Sequence, residues 1–322
     1  MTKKVLITGI SGFVGSHLAE YLLSKKNYSI SGTYLSEKSL VNLRGFKEKL
    51  NLTQIDLKDS KAVFRLINYL KPDLIFHLAA LPAVGSSFDR PVETIINNVA
   101  AEANVLEAIK NANLNDCRIL IVSSADVYGK VAKKDLPIDE NTSFNPTNAY
   151  AVSKIAQDFL GLQYHIAYGL KVIRARPFNH AGPRQALGFV VADFACKIAK
   201  IEKGEIEPVL RVGNLDSKRD YTDVYDMVRA QTLLIEQGKV GEVYNIGSGF
   251  SYKTSEILDI LLSLSTVKIK IEVEIDPILL RPQDSPDRIC DNRKFTKLTG
   301  WKPTIPIEVT LKETLDYWRS II

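Results

Sequence analysis

The stretch Thr8-Gly9-Ile10-Ser11-Gly12-Phe13-Val14-Gly15 decides how this chain is read. It follows a short apolar run, Val5-Leu6-Ile7, and opens an amphipathic segment over residues 13–23. Such flanks predict a strand, a tight turn and a helix N-terminus, the setting in which three spaced glycines carry meaning. The first glycine allows the turn, and the second lets backbone N–H groups approach a pyrophosphate. The third lets the helix pack closely on the strand. The helix N-terminus adds unpaired N–H donors and a partial positive charge suited to an anion. Glycine is common in ordinary turns, so the spacing alone is a weak signal, and the flanks are what make it an expected dinucleotide site.

Outward from this turn, short β-rich runs alternate with helical ones. Strands are expected over residues 28–35, 50–55, 73–78, 118–123 and 170–175, and helices over 59–70, 92–112 and 149–168. The run Asp73-Leu74-Ile75-Phe76-His77-Leu78 is almost wholly apolar, as a strand covered on both faces should be. The alternation predicts an α/β, doubly wound parallel sheet with helices on both sides. Such sheets bind ligands at the carboxyl ends of their strands, which places the loops after Thr8, Leu78 and Ser123 on one rim. After Arg176, prolines and glycines break the chain into short pieces, although residues 240–246 read as a strand returning to the main sheet. The expected organisation is a dinucleotide-binding domain over 1–175 plus about 220–247. Residues 176–219 and 248–322 would then form a smaller C-terminal lobe over the strand ends.

Composition narrows the function classes. The chain has 322 residues, 45% hydrophobic and 25% charged, which is ordinary for a globular protein with a large core. A net charge of +5 without long Lys/Arg blocks speaks against nucleic acid as a partner. No apolar run is long enough for a membrane span, and Met1-Thr2-Lys3-Lys4 leads directly into a strand, so no signal peptide is expected. Cys117, Cys196 and Cys290 are scattered without C-x-x-C spacing, which suits a reducing, cytoplasmic location. The four histidines show no metal-ligand spacing, and no metal site is expected.

Two further segments carry chemistry. Tyr150-Ala151-Val152-Ser153-Lys154 places a phenol and an ammonium on one helix face. A nearby cation favours the phenolate and lowers a pKa that is otherwise near 10, giving a general acid/base for carbonyl/alcohol interconversion. Unaided, such a pair is usually just a solvated helix face. Val122-Ser123-Ser124-Ala125-Asp126 ends a buried strand in hydroxyls, one of which could hold a carbonyl oxygen or merely cap the next turn. No G-x-S-x-G elbow accompanies them, so a hydrolase triad is a poor reading.

Taken together, Thr8-Gly9-x-x-Gly12-x-x-Gly15, His77-Leu78-Ala79-Ala80, Asn97-Asn98-Val99, the Ser124 strand end and Tyr150-x-x-x-Lys154 resemble the extended short-chain dehydrogenase/reductase family. The nucleotide-sugar-modifying branch is the most similar, and the likeness covers nearly the whole chain. It implies a Rossmann fold with Tyr150 as catalytic acid/base, Lys154 lowering its pKa and holding the nicotinamide ribose, and Ser124 positioning the substrate C4 oxygen. It further implies cofactor contacts from Gly9, Ser11, Gly12, Phe13, Val14, Gly15, Tyr34, Ser36, Leu78, Ala79, Ala80, Asn98 and Pro177, with Asp56-Leu57 at the adenine. A plainer role for Asp56 is capping the helix that begins near Asp59.

The second half resembles enzymes of GDP-sugars. The segments carrying this are 176–183, 208–215, 218–224, Asp276-Pro277 and Arg281-Pro282. On that likeness Arg211, Arg219 and Arg281 are assigned to the nucleotide diphosphate and its ribose, because forked guanidinium donors suit paired oxygens, and Asp126, Asn179 and Arg184 join Ser124 as candidate substrate contacts. Two activities compete within the branch. A 4,6-dehydratase needs a further base, supplied in the family by a glutamate two residues after the catalytic hydroxyl. Here that position is Asp126, one methylene shorter, in Ser-Ala-Asp rather than Thr-Ser-Glu, and a shortened arm counts against proton abstraction. A reductase needs no such base, and the chain is most similar to the enzymes that reduce the C4 ketone of GDP-4-dehydro-6-deoxy-D-mannose to GDP-D-rhamnose. The glycine turn is equally compatible with a 4-epimerase or a redox-sensing dinucleotide-binding protein, although retention of Tyr150, Lys154 and Ser124 argues against the sensor. Residues 32–38, Gly-Thr-Tyr-Leu-Ser-Glu-Lys, put neutral groups where an NAD-binding acid is expected. Ser36 and Lys38 would suit a 2′-phosphate, so NADP is favoured over NAD. The resemblance also implies a homodimer paired through the helices that carry Asn98 and Tyr150.

Overall fold

The computed structural model describes residues 2–82, 84–280 and 287–322. The N-terminal part runs β1 (Lys3–Thr8), α1 (Phe13–Lys25), β2 (Tyr28–Tyr34), β3 (Asn51–Gln54), α2 (Ser60–Leu70), β4 (Leu74–His77), α3 (Val84–Asp89), α4 (Pro91–Asn111), β5 (Arg118–Val122), α5 (Ala149–Tyr168) and β6 (Lys171–Pro177). It continues with β7 (Asn179–Ala181), α6 (Val190–Glu202), β8 (Val209–Val212), β9 (Lys218–Asp223), α7 (Val224–Gln237), β10 (Val243–Ile246), β11 (Ser251–Lys253), α8 (Thr254–Ser263), β12 (Glu272–Ile275), α9 (Arg293–Thr299) and α10 (Ile307–Ile321).

Seven strands form one sheet in the order β10-β6-β5-β4-β1-β2-β3, and every pairing in it is parallel. The chain leaves β1 toward β2 and β3, then returns to the other side of β1 as β4. That reversal opens a crevice at the carboxyl ends of β1 and β4, where doubly wound sheets bind ligands. Period-two alternation explains how both faces are covered. Val5 and Ile7 of β1 point into a core with Leu18, Leu22, Phe76 and Leu234, while Leu6 points to the opposite one with Ile75, Val105, Ile109 and Ile121.

Local chemistry sets the helix ends. Asp59 caps α2 by accepting from the Ala62 N–H at 3.0 Å, and Asn148 caps α5 by accepting from Ala151 at 2.8 Å. The second cap puts Tyr150 in the first turn of α5, facing the crevice. Gly169 ends that helix in the left-handed conformation at φ +70°.

The smaller lobe contains a three-stranded sheet, β11-β9-β7, and a parallel pair, β12-β8. Its core joins Phe194, Ile198, Leu210, Ile257, Leu261, Leu311 and Leu315. Three details differ from the sequence expectation. Residues 220–223, expected in the dinucleotide-binding domain, belong to β9 and pair with β7 and β11 in the lobe sheet. β6 extends to Pro177, two residues past its expected end. Residues 293–301, expected in the lobe, instead send Phe295 and Trp301 into the large-sheet core beside Tyr244 and Met227. Trp301 Nε1 also donates to the Asp226 carbonyl of α7 at 3.3 Å. Prolines around this segment give it the look of lobe, whereas its two aromatics anchor it to the main sheet. Among the described residues, no helix is long and apolar enough to cross a membrane.

Candidate active site

A single cavity of about 1060 Å³ runs from the glycine turn, past the ends of β4 and β5, into the lobe. This is at the upper end of the about 300–1,000 Å³ usual for ligand clefts, and its lining spans both the glycine turn and lobe residues such as Arg211 and Arg219.

Its first wall is the turn after β1. Gly9 has φ +69°, and a Cβ there would lie 3.0 Å from the Ala79 backbone. A Cβ on Gly15 would lie 2.4 Å from the Gly9 carbonyl oxygen and 2.9 Å from the Ile10 Cα, so only hydrogen fits. Gly12 is the α1 N-cap and supplies no side-chain cap, which leaves the first-turn N–H groups facing the cavity. The neighbouring loop closes over this turn: Ser11 Oγ and Ser39 Oγ are 2.7 Å apart, and Asn42 donates to the Ser11 carbonyl at 2.9 Å. Thr8 pins the ends of β1 and β4 together. Its hydroxyl accepts from the Leu78 and Ala79 N–H groups at 3.1 and 3.2 Å, and therefore donates to His77 Nδ1 at 3.0 Å. Burial, assisted by the Lys154 charge, lowers the His77 pKa to about 3, so the imidazole is neutral.

The expected cofactor residues Ser11, Phe13, Val14, Tyr34, Ser36, Asp56, Leu57, Leu78, Ala79, Ala80 and Pro177 all line the cavity with the three glycines. Asp56 does not cap α2. Its carboxylate accepts from the Lys58 N–H at 2.9 Å, which leaves α2 to Asp59. Asn98 lies behind the wall instead of on it. Fully buried, it accepts from the Leu81 N–H at 2.8 Å and donates to Ser153 Oγ at 2.9 Å. It ties the loop after β4 to the helix turn between Tyr150 and Lys154. The Tyr34 phenol donates to Glu37 at 2.7 Å, and Ser36 caps a 3₁₀ turn over Glu37–Leu43.

Ser124, Tyr150 and Lys154 meet at the centre. Two bonds fix α5 to the end of β5: Lys154 Nζ donates to the Val122 carbonyl at 2.8 Å, and Ser123 Oγ donates to the Lys154 carbonyl at 3.0 Å. Lys154 Nζ lies 5.8 Å from the centre of the Tyr150 ring. The expectation that Lys154 lowers the Tyr150 pKa is not met. Burial, then the Asp126 charge, raises it above the ordinary phenol value, against a smaller opposing effect of the Ser124 hydroxyl. Burial also brings Lys154 down to about 8, while the Glu102 charge raises it. The phenol is therefore firmly protonated at neutral pH, as a proton donor must be. Ser124 Oγ accepts from the Asp126 N–H at 3.1 Å and lies 3.5 Å from its carboxylate.

Arg288, which no sequence feature singled out, enters this wall and forms an ion pair with Asp126. Its backbone is held by distant elements. The Asp220 N–H donates to the Arg288 carbonyl at 3.0 Å, the Asp220 carboxylate accepts from the Cys290 N–H at 3.0 Å, and the Ile138 N–H donates to the Ile289 carbonyl at 2.8 Å.

Asn179, Arg184, Arg211 and Arg219 line the lobe side of the cavity, and Arg281 lies outside the described residues. Arg184, at φ +69°, reaches Glu20 of α1 at 2.5 Å. Arg211 is two-thirds exposed and pairs loosely with Glu274 at 3.6 Å. Lys197, also not anticipated, crosses the same wall and donates to the Arg211 carbonyl at 2.9 Å. Arg176 faces away: with Arg174 it grips the buried Asp158 at 2.7 and 2.6 Å, a structural pairing.

Comparison with known proteins agrees with this geometry. The family model described as GDP-mannose 4,6 dehydratase matches residues 6–314. The GDP-6-deoxy-D-mannose reductase of Pseudomonas aeruginosa PAO1 is 35% identical over 320 residues, covering 99% of this chain and 98% of the relative. The GDP-mannose 4,6 dehydratase 1 of Arabidopsis thaliana is 30% identical over 328 residues, covering 98% and 89%. The structure of RMD from Pseudomonas aeruginosa complexed with NADPH superposes with a TM-score of 0.86 at 34% identity, covering each chain fully. The nucleotide-sugar likeness read from the motifs thus extends through the lobe, and the chain belongs to the GDP-mannose 4,6-dehydratase family, in the nucleotide-sugar branch of the extended short-chain dehydrogenases/reductases.

Proposed function

We propose that this protein reduces the C4 ketone of GDP-4-dehydro-6-deoxy-D-mannose, giving GDP-D-rhamnose, with NADPH as cofactor. The observation that carries the reading is a buried Tyr150 phenol beside Ser124, opening on the same cavity as the glycine turn. The Pseudomonas reductase, similar over its whole length, supports the same substrate.

The residues present fit the dinucleotide. A Cβ at Gly9 or Gly15 would press on backbone atoms, and the uncapped first turn of α1 suits a pyrophosphate. Ser36, Lys38 and Ser39 would receive a 2′-phosphate, while Tyr34 would hold the Glu37 carboxylate aside. Bound there, the reduced nicotinamide supplies the hydride. Ser124 then orients the C4 oxygen by donating to it. Tyr150 gives its phenolic proton to that oxygen as charge develops, and Lys154 would hold the nicotinamide ribose. Arg184, Arg211 and Arg219 would take the diphosphate, with Asn179 near the sugar. Asp126 has no step to perform in a reduction.

Single-turnover mixing with GDP-4-dehydro-6-deoxy-D-mannose and NADPH tests this, read at 340 nm with the product sugar identified by NMR. The expected result is absorbance loss with GDP-D-rhamnose formed, slowed about 10²–10⁴-fold by Tyr150→Phe. No oxidation there, but water eliminated from GDP-D-mannose, would make the protein a dehydratase and refute the reading.

We further infer a cytoplasmic homodimer paired through α4 and α5. All three cysteines are free and buried, which suits a reducing compartment. Val92 and Ile96 on α4 and Val152, Phe159 and Ile166 on α5 leave an apolar stripe in solvent. Light scattering should report a dimer that Phe159→Asp converts to monomer. A wild-type monomer would remove the inference.

A further inference from the structure

Asp126 occupies the place where a proton-abstracting carboxylate would serve elimination, yet it is not available for that task. Its side chain and that of Arg288 are 21% and 10% exposed, and the two form an ion pair in the cavity wall. The ion pair is made through one Nη of Arg288, while its Nε is buried without a hydrogen-bond partner among the described residues. Its position is not incidental. Asp220 straps the backbone at Arg288 and two residues after it, and its carboxylate also accepts from the Ser248 and Gly249 N–H groups at 2.8 Å each.

We propose that Arg288 determines specificity: by pairing with Asp126 it withholds the carboxylate beside Ser124 from proton abstraction at the carbon next to the ketone, and so keeps the site a reductase. The inference rests on the functional reading above. If Ser124 holds the C4 oxygen, the Asp126 carboxylate, 3.5 Å from that hydroxyl, lies within reach of C5. The C5–H is acidified by the ketone. An unpaired Asp126 takes that proton, and the C–H electron pair passes into the C4–oxygen system as an enolate. A proton returned from solvent restores the ketone, with no redox change and no leaving group. Paired with a guanidinium through Oδ1, the carboxylate has its charge offset and is held toward Arg288, which makes it a poorer base.

The experiment is hydrogen exchange in D₂O. Protein, GDP-4-dehydro-6-deoxy-D-mannose and NADP⁺ are mixed, and loss of the C5–H signal with collapse of the C6 methyl doublet is followed by NMR. Wild type should exchange at the buffer rate. Arg288→Gln and Arg288→Met should exchange about 10²-fold faster. Arg288→Lys should stay near wild type, and Arg288→Gln with Asp126→Asn should return to the buffer rate. Wild-type exchange as fast as Arg288→Gln would overturn the proposal. So would Arg288 variants that bind NADPH like wild type but show no exchange. Reduction by wild type is read in parallel at 340 nm. Its absence overturns the functional reading, whereas silent Arg288 variants beside an active wild type overturn only this inference.

Discussion

Gly15→Ala tests how the dinucleotide turn is built. The new methyl carbon would sit 2.4 Å from the Gly9 carbonyl oxygen, 2.9 Å from the Ile10 Cα and 3.0 Å from the Ile10 carbonyl carbon. Normal contact needs about 3.5 Å, so something must move by about 1 Å. Every clashing atom is backbone, and no rotamer change relieves it. The turn cannot retreat, because Gly9 already abuts the Ala79 backbone, so α1 must lift away from the core that Leu18 and Leu22 fill. Overpacking of this kind costs about 1–3 kcal/mol, or a melting point lower by several degrees. The first-turn N–H groups shift with the helix. A hydrogen bond stretched toward about 3.6 Å is lost, and two charge-assisted bonds to a pyrophosphate are together worth roughly 3 kcal/mol, about 10²-fold in NADPH affinity. Gly12→Ala is the internal control, since its Cβ would meet the Gly9 carbonyl oxygen at 3.2 Å and needs only tenths of an ångström. Fluorescence titration with NADPH and thermal melts read both variants. Gly15→Ala with wild-type affinity and melting point, or a Gly12→Ala that unfolds more readily than Gly15→Ala, would refute the argument.

Three more predictions concern buried polar groups. Lys154 has its pKa depressed to about 8, so its cationic form is present below that pH and lost as pH rises through it. NADPH affinity should therefore fall above about pH 8 in wild type and be flat with pH in Lys154→Met; a flat wild-type profile would contradict the assignment. Asp158→Ala strips Arg174 and Arg176, whose side chains are 7% and 5% exposed, of their shared carboxylate. Urea melts should show a loss of about 3–5 kcal/mol, and a loss under about 1 kcal/mol would mean that water replaces the carboxylate. Asn98→Ala should lower kcat by loosening Ser153 and the Lys154 turn while changing NADPH affinity little. A variant impaired mainly in binding would restore Asn98 as a direct cofactor contact.

What the sequence made legible was local. The glycine turn, the Tyr150/Lys154 pair and the Ser124 strand end are each written in a few consecutive residues, and the backbone geometry of one turn or one helix face brings them into use. What stayed hidden depends on contacts between distant parts of the chain. Arg288 meets Asp126 across 162 positions, delivered by a strap from Asp220 and Ile138 that no spacing advertises. The family resemblance placed Asn98 near the site but not on which side of the wall. The Tyr150 expectation fails for the same reason: the neighbouring cation is visible at i+4, whereas the burial that outweighs it is a property of the folded site.

The charges around the cavity divide by burial into two kinds. Deep in the fold, each of these cations is matched before any ligand arrives: Arg174 and Arg176 by Asp158, and Arg288 by Asp126. Such pairs hold shape: Asp126 offsets the Arg288 charge at close range, whereas Asp158 offsets only one of the two charges that share it. Toward the lobe, the matching is looser. Arg184 holds a carboxylate, Glu20, that is itself open to solvent, and Arg211 faces solvent with Glu274 at 3.6 Å, a pair worth about 0–1 kcal/mol. A diphosphate can displace an exposed carboxylate of that kind at little cost, whereas it could not separate Arg288 from Asp126 without leaving a buried charge alone. The same reasoning explains why the two kinds of arginine should differ in their effects when replaced. Changes at Arg211 should weaken nucleotide-sugar binding and its salt dependence together, while changes at Arg288 should alter which proton on the sugar the site can move.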